Sequence, residues 1–454
     1  MRKLAFVVSC LIFIFSALLL DVSFAQEKLS LTLEKCVEMT LENNEQILKA
    51  GQELAEAEGV LTTARSDEYL QLNFTSWYEQ SKNDGNFEAK DYNGTISAEQ
   101  LLLRFGEVPR RIDDAQERLR LAELKVESAR IDEVSNTRRI FYDIVLIQDE
   151  LRERKILRDE IDKKRARTAD RVKERLALEL ELLDVELELS DQDLSINTLK
   201  RALRVRKTEL LQAIGADEEA DIDISGELSD LGLTMDDFIA AAMAKRTELK
   251  DLRGQIVRQE RLTRESYWEL LPELRSSYRY KDTSFILQQE DRTWDALLAY
   301  EKPIWEKEGG RTPERDKWEF NFGLSFPMFD GFRVKGIVEA EQARLAALRI
   351  ELLRREKQIR LEVRRAYQDV ADDKENMEIL ERRVTFRRKT LERMEAIMET
   401  PVISQKYPHL AGITFDDVIR AREDYTNAQK GYFDQKRRYM QARENLRQKM
   451  GIVE

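Results

Sequence analysis

The sequence predicts a mainly α-helical fold with a small β part, built twice from one helical-hairpin/β-hairpin unit. Composition is the first ground. Charged residues make up 36% of the chain and only 7 of 454 residues are proline, the profile of long helices and coiled coils. Internal repetition is the second. Leu31-Thr32-Leu33-Glu34 recurs as Leu233-Thr234-Met235-Asp236, 202 positions on, and the match runs without a gap to Tyr78/Tyr280. Phe105-Gly106 answers Asp330-Gly331 and Tyr142 answers Tyr367 at an offset of 225, and Gly215 answers Gly451 at 236. The second copy thus holds 23 extra residues after its first block and 11 more before its last. Ordered blocks in register mark a duplicated unit. The third ground is a small set of period-two stretches rich in aromatics, which predict short strands.

The elements follow in chain order. Arg2-Lys3, the apolar run from Leu4 to Leu20 and Ser23-Phe24-Ala25 read as a secretory leader, residues 1–25, cut after Ala25. Its removal takes away Arg2, Lys3 and Asp21, so the net charge of −12 becomes −13. The first repeat spans 26–215: a helix, a β-hairpin over about 70–102, and a long helical hairpin over about 107–215. A linker covers 216–232. The second repeat, 233–454, has a helix, a β-hairpin over about 272–327 with a long loop at 282–317, and a helical hairpin over about 332–451.

In the first hairpin Leu70, Leu72, Phe74 and Tyr78 alternate with Gln71, Asn73 and Thr75. Thr95 to Leu102 is a weaker strand. In the second, Leu274, Tyr278 and Tyr280 alternate with Glu273, Arg275 and Arg279. Phe320, Phe322, Leu324 and Phe326 face one way, and Asn321, Gly323 and Ser325 the other. A half-buried strand of a soluble sheet gives the same alternation. The paired occurrence and the aromatics near the far ends (Trp77, Tyr78, Tyr92, Tyr280, Trp318) favour strands that cross a membrane. On that reading Phe320, Phe322, Leu324 and Phe326 face lipid. Four strands cannot close a barrel, and an open sheet edge in lipid leaves backbone groups unsatisfied. Several copies must then pool their strands, and three copies give twelve.

The helices carry seams. Ile112, Ala115, Leu119, Ala122, Val126 and Ala129 step at coiled-coil spacing. The returning helix has two stripes, one through Leu182, Val185, Leu189, Ile196, Leu199, Leu203 and Leu210. The other runs through Leu176, Leu180, Leu183, Leu187 and Leu194. Two stripes suit a helix flanked on both sides. Val418, Tyr425, Tyr432, Tyr439 and Leu446 recur every seven residues with Ala421, Ala428 and Ala442 between them, which is read as packing. All seven prolines are expected at corners or loops, and Gly215 and Gly451 at helix C-terminal caps.

No catalytic site, metal or cofactor is expected. The chain after the leader has one histidine, His409, and one cysteine, Cys36, too few for a zinc site or a Cys–His pair. It has no phosphate-cradling glycine loop. The negative charge argues against a nucleic-acid partner.

Several segments together resemble the outer-membrane efflux (TolC-like) family. They are Leu31 to Glu34 through Glu42-Asn43-Asn44, Leu271-Pro272-Glu273-Leu274, and Phe326-Pro327-Met328-Phe329-Asp330-Gly331. Tyr142/Tyr367 and Gly412-Ile413-Thr414-Phe415-Asp416-Asp417-Val418 complete them. The resemblance implies a homotrimer with a twelve-stranded barrel in the outer membrane, continued by a long α-helical tunnel in the periplasm. It also implies a passive exit duct for efflux or type I secretion, docked to a periplasmic adaptor (membrane fusion protein) and powered by an inner-membrane transporter. Such a tube must close at its periplasmic tips. Asp170, Arg171, Lys173, Glu174 and Arg175 on one tip, and Gly412, Asp416 and Asp417 on the other, are the candidate gate and adaptor contacts. Residues 400–411 read as an insertion there. A periplasmic adaptor or a soluble coiled-coil scaffold are the competing readings.

Overall fold

The structure, a computed structural model, describes residues 29–82, 88–105, 107–175, 178–226, 235–267, 273–280, 283–290, 293–306, 318–325, 329–399 and 415–451. The expected leader, Leu176, Phe326, Gly412 and the tip insertion 400–411 lie outside them. In chain order these residues form β1 (Leu29–Leu31), α1 (Leu33–Asn43), α2 (Glu45–Arg65), β2 (Gln71–Lys82), β3 (Glu88–Phe105), α3 (Glu107–Lys173), α4 (Glu179–Ala213) and β4 (Ile222–Ile224). Then come α5 (Met235–Lys245), α6 (Thr247–Glu265), β5 (Glu273–Tyr280), β6 (Thr283–Glu290), β7 (Thr293–Glu306), β8 (Trp318–Ser325), α7 (Arg333–Glu399) and α8 (Phe415–Met450). They fall into two units: residues 1–44, 136–231 and 377–440 in the first, and 45–135, 232–376 and 441–454 in the second.

In the first unit β1 pairs in parallel with β4, Leu29 opposite Ile222 and Leu31 opposite Ile224. Thr32 caps α1 by accepting from the Lys35 amide. The stretch Ile140 to Ile147 of α3, apolar but for Asp143, is buried on every side, and Arg206 reaches the Asp143 carboxylate at 3.6 Å. Lower along the same helix, Leu157 and Ile161 join Val185 of α4, Leu391 of α7 and Val418, Ala421 and Tyr425 of α8 in one apolar cluster. The tyrosine stripe of α8 is therefore packing, as read: Tyr425 and Tyr439 are buried. Cys36 is fully buried on α1, and burial pushes its thiol up to about 12. It is expected to resist maleimide in the native protein and to react only on unfolding, read by mass spectrometry.

The second unit contains a six-stranded sheet in the order β2-β3-β7-β6-β5-β8. The four expected strands are present as β2, β3, β5 and β8. The expected loop 282–317 instead carries two more, β6 and β7, so the count of four strands in the chain is corrected to six in this sheet. Pro303 accordingly lies within a strand rather than at a corner. It sits at a register shift, where Gly94 opposes Trp305 but Thr95 opposes Pro303. A bulge absorbs the ladder bond that proline cannot donate. Beside the sheet, Leu61 of α2 packs on Ile112 and Ala115 of α3, which gives the predicted seam its partner. Ion pairs align α6 antiparallel to α3: Arg261 with Asp113, Arg258 with Asp114 at 2.6 Å, Arg120 with Asp251 at 3.0 Å and Lys250 with Glu127 at 2.5 Å.

The duplication shows in one joint made twice. In the first unit, α1 ends before Asn44, whose side-chain amide donates to the Ala213 carbonyl at 2.9 Å. Gly215 follows with φ +66°. In the second unit, α5 and α6 break at Arg246, whose Nε donates to the Lys449 carbonyl at 3.0 Å. Gly451 follows with φ +70°. Both glycines supply the left-handed conformation that ends a helix.

Candidate functional site

The sheet has two chemically different faces along its β2–β3 and β5–β8 pairs. Phe74 opposes Ile96 and Tyr278 opposes Phe320 across neighbouring strands. These side chains, with Leu72 and Phe322, are exposed. On the other face Asn73 opposes Ser97, Thr75 opposes Thr95, and Asn321 donates to the Ser277 hydroxyl at 3.3 Å. Of the predicted lipid-facing set, Phe320 and Phe322 stand on the apolar face at 56% and 63% exposure. Leu324 keeps the same register in β8.

The two stripes of α4 part company. Val185, Ile196 and Leu210 are buried within the chain, whereas Leu180, Leu183, Leu187 and Leu194 are 55–67% exposed. Covering one side only leaves a row of leucines on water, which is unfavourable by roughly 25 cal/mol per Å² of apolar surface.

The predicted tip residues behave as surface charges. Asp170 pairs with Lys173 at 3.1 Å, but the side chains are 72% and 77% exposed, so the pair contributes little. Arg171 and Asp417 also hold partners. Arg175 has φ +59°, just past the end of α3. Asp416 and Asp417 lie in the first turn of α8, where carboxylates suit the helix dipole.

A stronger constellation lies deeper in the first unit. Arg422 of α8 is 5% exposed. Its guanidinium donates to Glu188 of α4 at 2.8 Å and to Glu395 of α7. Lys164 of α3 approaches Glu395 at 3.9 Å. One buried cation thus ties three helices, with a fourth at its edge. A cavity of about 220 Å³ lies beside it, lined by Lys163, Lys164, Arg167 and Glu160 as well as Arg422 and Glu395. Sequence reasoning missed this knot. The available signal was Arg422 standing beside Ala421 in an otherwise apolar and tyrosine-bearing stripe.

A second buried arginine organises the other unit. Arg246 donates to Glu248 at 2.8 Å and to Glu362 of α7 at 2.6 Å, and Arg355 donates to Glu248 at 3.0 Å. Burial raises the Glu362 carboxyl, but the Arg246 hydrogen bond and charge outweigh it and hold it below the usual range. Glu248 is lowered as well, its own backbone amide and both arginines overcoming burial. A depressed carboxylate stabilises the fold above its unfolded pKa, and that contribution fades as pH falls through the folded value. Glu362→Gln is therefore expected to lower the thermal midpoint at neutral pH. The gap from wild type should shrink below about pH 4.5. A melting series from pH 7 to pH 3 checks it.

Among the described residues no helix is long and apolar enough to cross a membrane, and no cluster of His, Cys, Asp and Glu could hold a metal. Residues 36–216 match the family model described as outer membrane efflux protein. No curated protein sequence matches. In solved structures the fold is similar to the Campylobacter jejuni CmeC outer membrane channel, at TM-score 0.65 and 14% identity over 92% of this chain and 85% of that one. It is similar to the Vibrio cholerae outer membrane protein VceC, at 0.62 and 13% over 92% and 96%. The Neisseria gonorrhoeae MtrE outer membrane channel in its open state gives 0.63 and 13% over 92% and 88%. The resemblance read from the residues therefore holds: the chain matches the outer membrane efflux protein family through its first repeat and has the channel fold over nearly all its length.

Proposed function

We propose that this chain is the outer-membrane exit duct of a tripartite efflux or type I secretion assembly. It is a homotrimer whose pooled sheets line a pore in the outer membrane and whose helices form a tunnel in the periplasm. The duct does no chemistry. It lowers the barrier for a polar solute, while an inner-membrane transporter supplies the energy and a periplasmic adaptor opens the tip. The observation that carries this reading is the sheet, whose β2–β3 and β5–β8 pairs are apolar on one face and polar on the other, with β2 and β8 at its two edges. Such a sheet is stable in lipid only when its edges are joined. The exposed leucine stripe of α4 supports assembly, since a neighbouring copy would cover it. The fold match to outer membrane channels supports the location. The gate reading keeps Asp170, Arg171, Lys173, Arg175, Gly412, Asp416 and Asp417 as adaptor contacts and adds Arg422 as the closing tie.

The test is membrane fractionation with gels run with and without heating. A heat-modifiable oligomer in the outer-membrane fraction supports the reading, and a water-soluble monomer without detergent ends it. Leu183→Glu with Leu187→Glu places charges on the exposed stripe only, so the subunit should fold while the oligomer band is lost.

A further inference from the structure

We infer that the cavity beside Arg422 is a binding site for a compact oxyanion of the phosphate or sulfate kind, held between α3 and α8. The inference goes beyond the duct reading and stands on the geometry of the first unit alone. The cavity holds about 220 Å³, several times the ~30 Å³ share of one liquid water, so a five-atom anion enters with water around it. Its floor is apolar: Leu157, Ile161 and Leu391 are at most 6% exposed. Its walls are charged, and the charges do not balance. Lys163, Lys164 and Arg167 of α3 and Arg422 of α8 are set against only two carboxylates, Glu160 and Glu395. Glu188 holds Arg422 from α4, and the cations still outnumber the carboxylates.

Arg422 is the anchor. A guanidinium carries five N–H donors. Glu188 takes one and Glu395 another, so three are uncommitted on a side chain that is 5% exposed. Buried polar groups ordinarily have partners, and an oxyanion in the cavity supplies them. The planar fork of an arginine suits two oxygens of one tetrahedral anion. The α3 cations complete the shell at the open side. Lys163 and Arg167 stand one turn apart on α3 and repel each other; both are exposed, and Lys163 has no ion pair among the described residues. An anion between them and Arg422 relieves that repulsion and joins the two helices. The apolar floor lowers the local dielectric, so each contact is stronger than on an open surface. A phosphate group brings a charge of ~−1.5 to −2 at neutral pH, whereas chloride brings one charge and no second oxygen. Glu395 already sits at Arg422 and 3.9 Å from Lys164, so it is the carboxylate with which the anion competes.

Isothermal titration calorimetry of the full chain in detergent tests it, with inorganic phosphate as the probe and chloride at equal ionic strength as the reference. One phosphate per chain is expected to bind, and chloride is not. Lys163→Gln with Arg167→Gln changes exposed side chains only, so the fold stands, and affinity should drop at least about tenfold. Lys155→Gln, at an exposed lysine of α3 outside the cavity, should bind like wild type. Glu395→Gln removes the competing carboxylate and should tighten binding several-fold. That opposite sign separates a ligand site from an internal ion-pair cluster, which gives no phosphate response in any variant. Equal heats for phosphate and chloride, or equal losses in Lys155→Gln and the double variant, mean charge screening alone and overturn the inference. So does unchanged affinity in the double variant, or the same or weaker binding in Glu395→Gln. None of these outcomes touches the duct reading, which membrane fractionation tests separately.

Discussion

Arg422→Met is expected to raise single-channel conductance and to loosen the start of α8 together. The guanidinium is buried and bridges Glu188 and Glu395 from two other helices. Removing it leaves two partly buried carboxylates near each other with their shared cation gone. Hydrogen bonds to charged groups contribute about 1.5–3 kcal/mol, and breaking a buried pair is worse because charges are left uncompensated. Glu395 is a third exposed and Glu188 a fifth, so water offsets part of the loss and about 2–3 kcal/mol remains. Hydrogen exchange of amides 416–430 should rise accordingly. Adding Glu188→Gln and Glu395→Gln removes the repulsion and should recover part of the stability. It should not restore closure if the tie holds the helices together. Higher exchange with unchanged conductance would mean that the knot is structural only.

Gly215→Ala is expected to cost far more than Gly451→Ala, although the two glycines are repeat equivalents. Both have positive φ, so alanine at either meets the left-handed penalty of about 1–2 kcal/mol. They differ in what a methyl would touch. At Gly215 it would lie 2.5 Å from the Asn43 carbonyl oxygen, a backbone atom at the end of α1. That end is held to α4 by the Asn44 amide on the Ala213 carbonyl, so it cannot move without breaking the joint. At Gly451 the nearest atoms are 3.5 Å away, in ordinary contact. The expected losses are about 3–4 kcal/mol and about 1 kcal/mol. Urea midpoints in detergent measure both, and equal shifts would refute the argument.

The long helices were legible because their seams repeat without a proline inside the run. The strands β2, β5 and β8 were legible because their side chains alternate. β6 and β7 were not. Phe285-Ile286-Leu287 and Ala296-Leu297-Leu298-Ala299 put apolar residues side by side and erase the period of two, and Pro303 argues against an interior strand. Their place in the sheet depends on a bulge and on partners far along the chain, which local pattern does not encode. The Arg422 knot was hidden for a related reason. Its carboxylates come from positions 234 and 27 residues away, and the register between helices selects them from a chain in which acidic residues are everywhere. The tip charges, by contrast, were easy to see and turn out to be solvated.

The twice-made joint has a consequence for how the halves of the chain respond to their surroundings. One copy is fastened by a neutral amide, the other by a cation with carboxylates around it. Dissolved ions leave an amide's grip almost untouched and screen the partly exposed pairs around a guanidinium. Two sisters of one ancestral segment have therefore come to differ in salt sensitivity, and a rise in ionic strength slackens the later-encoded half first.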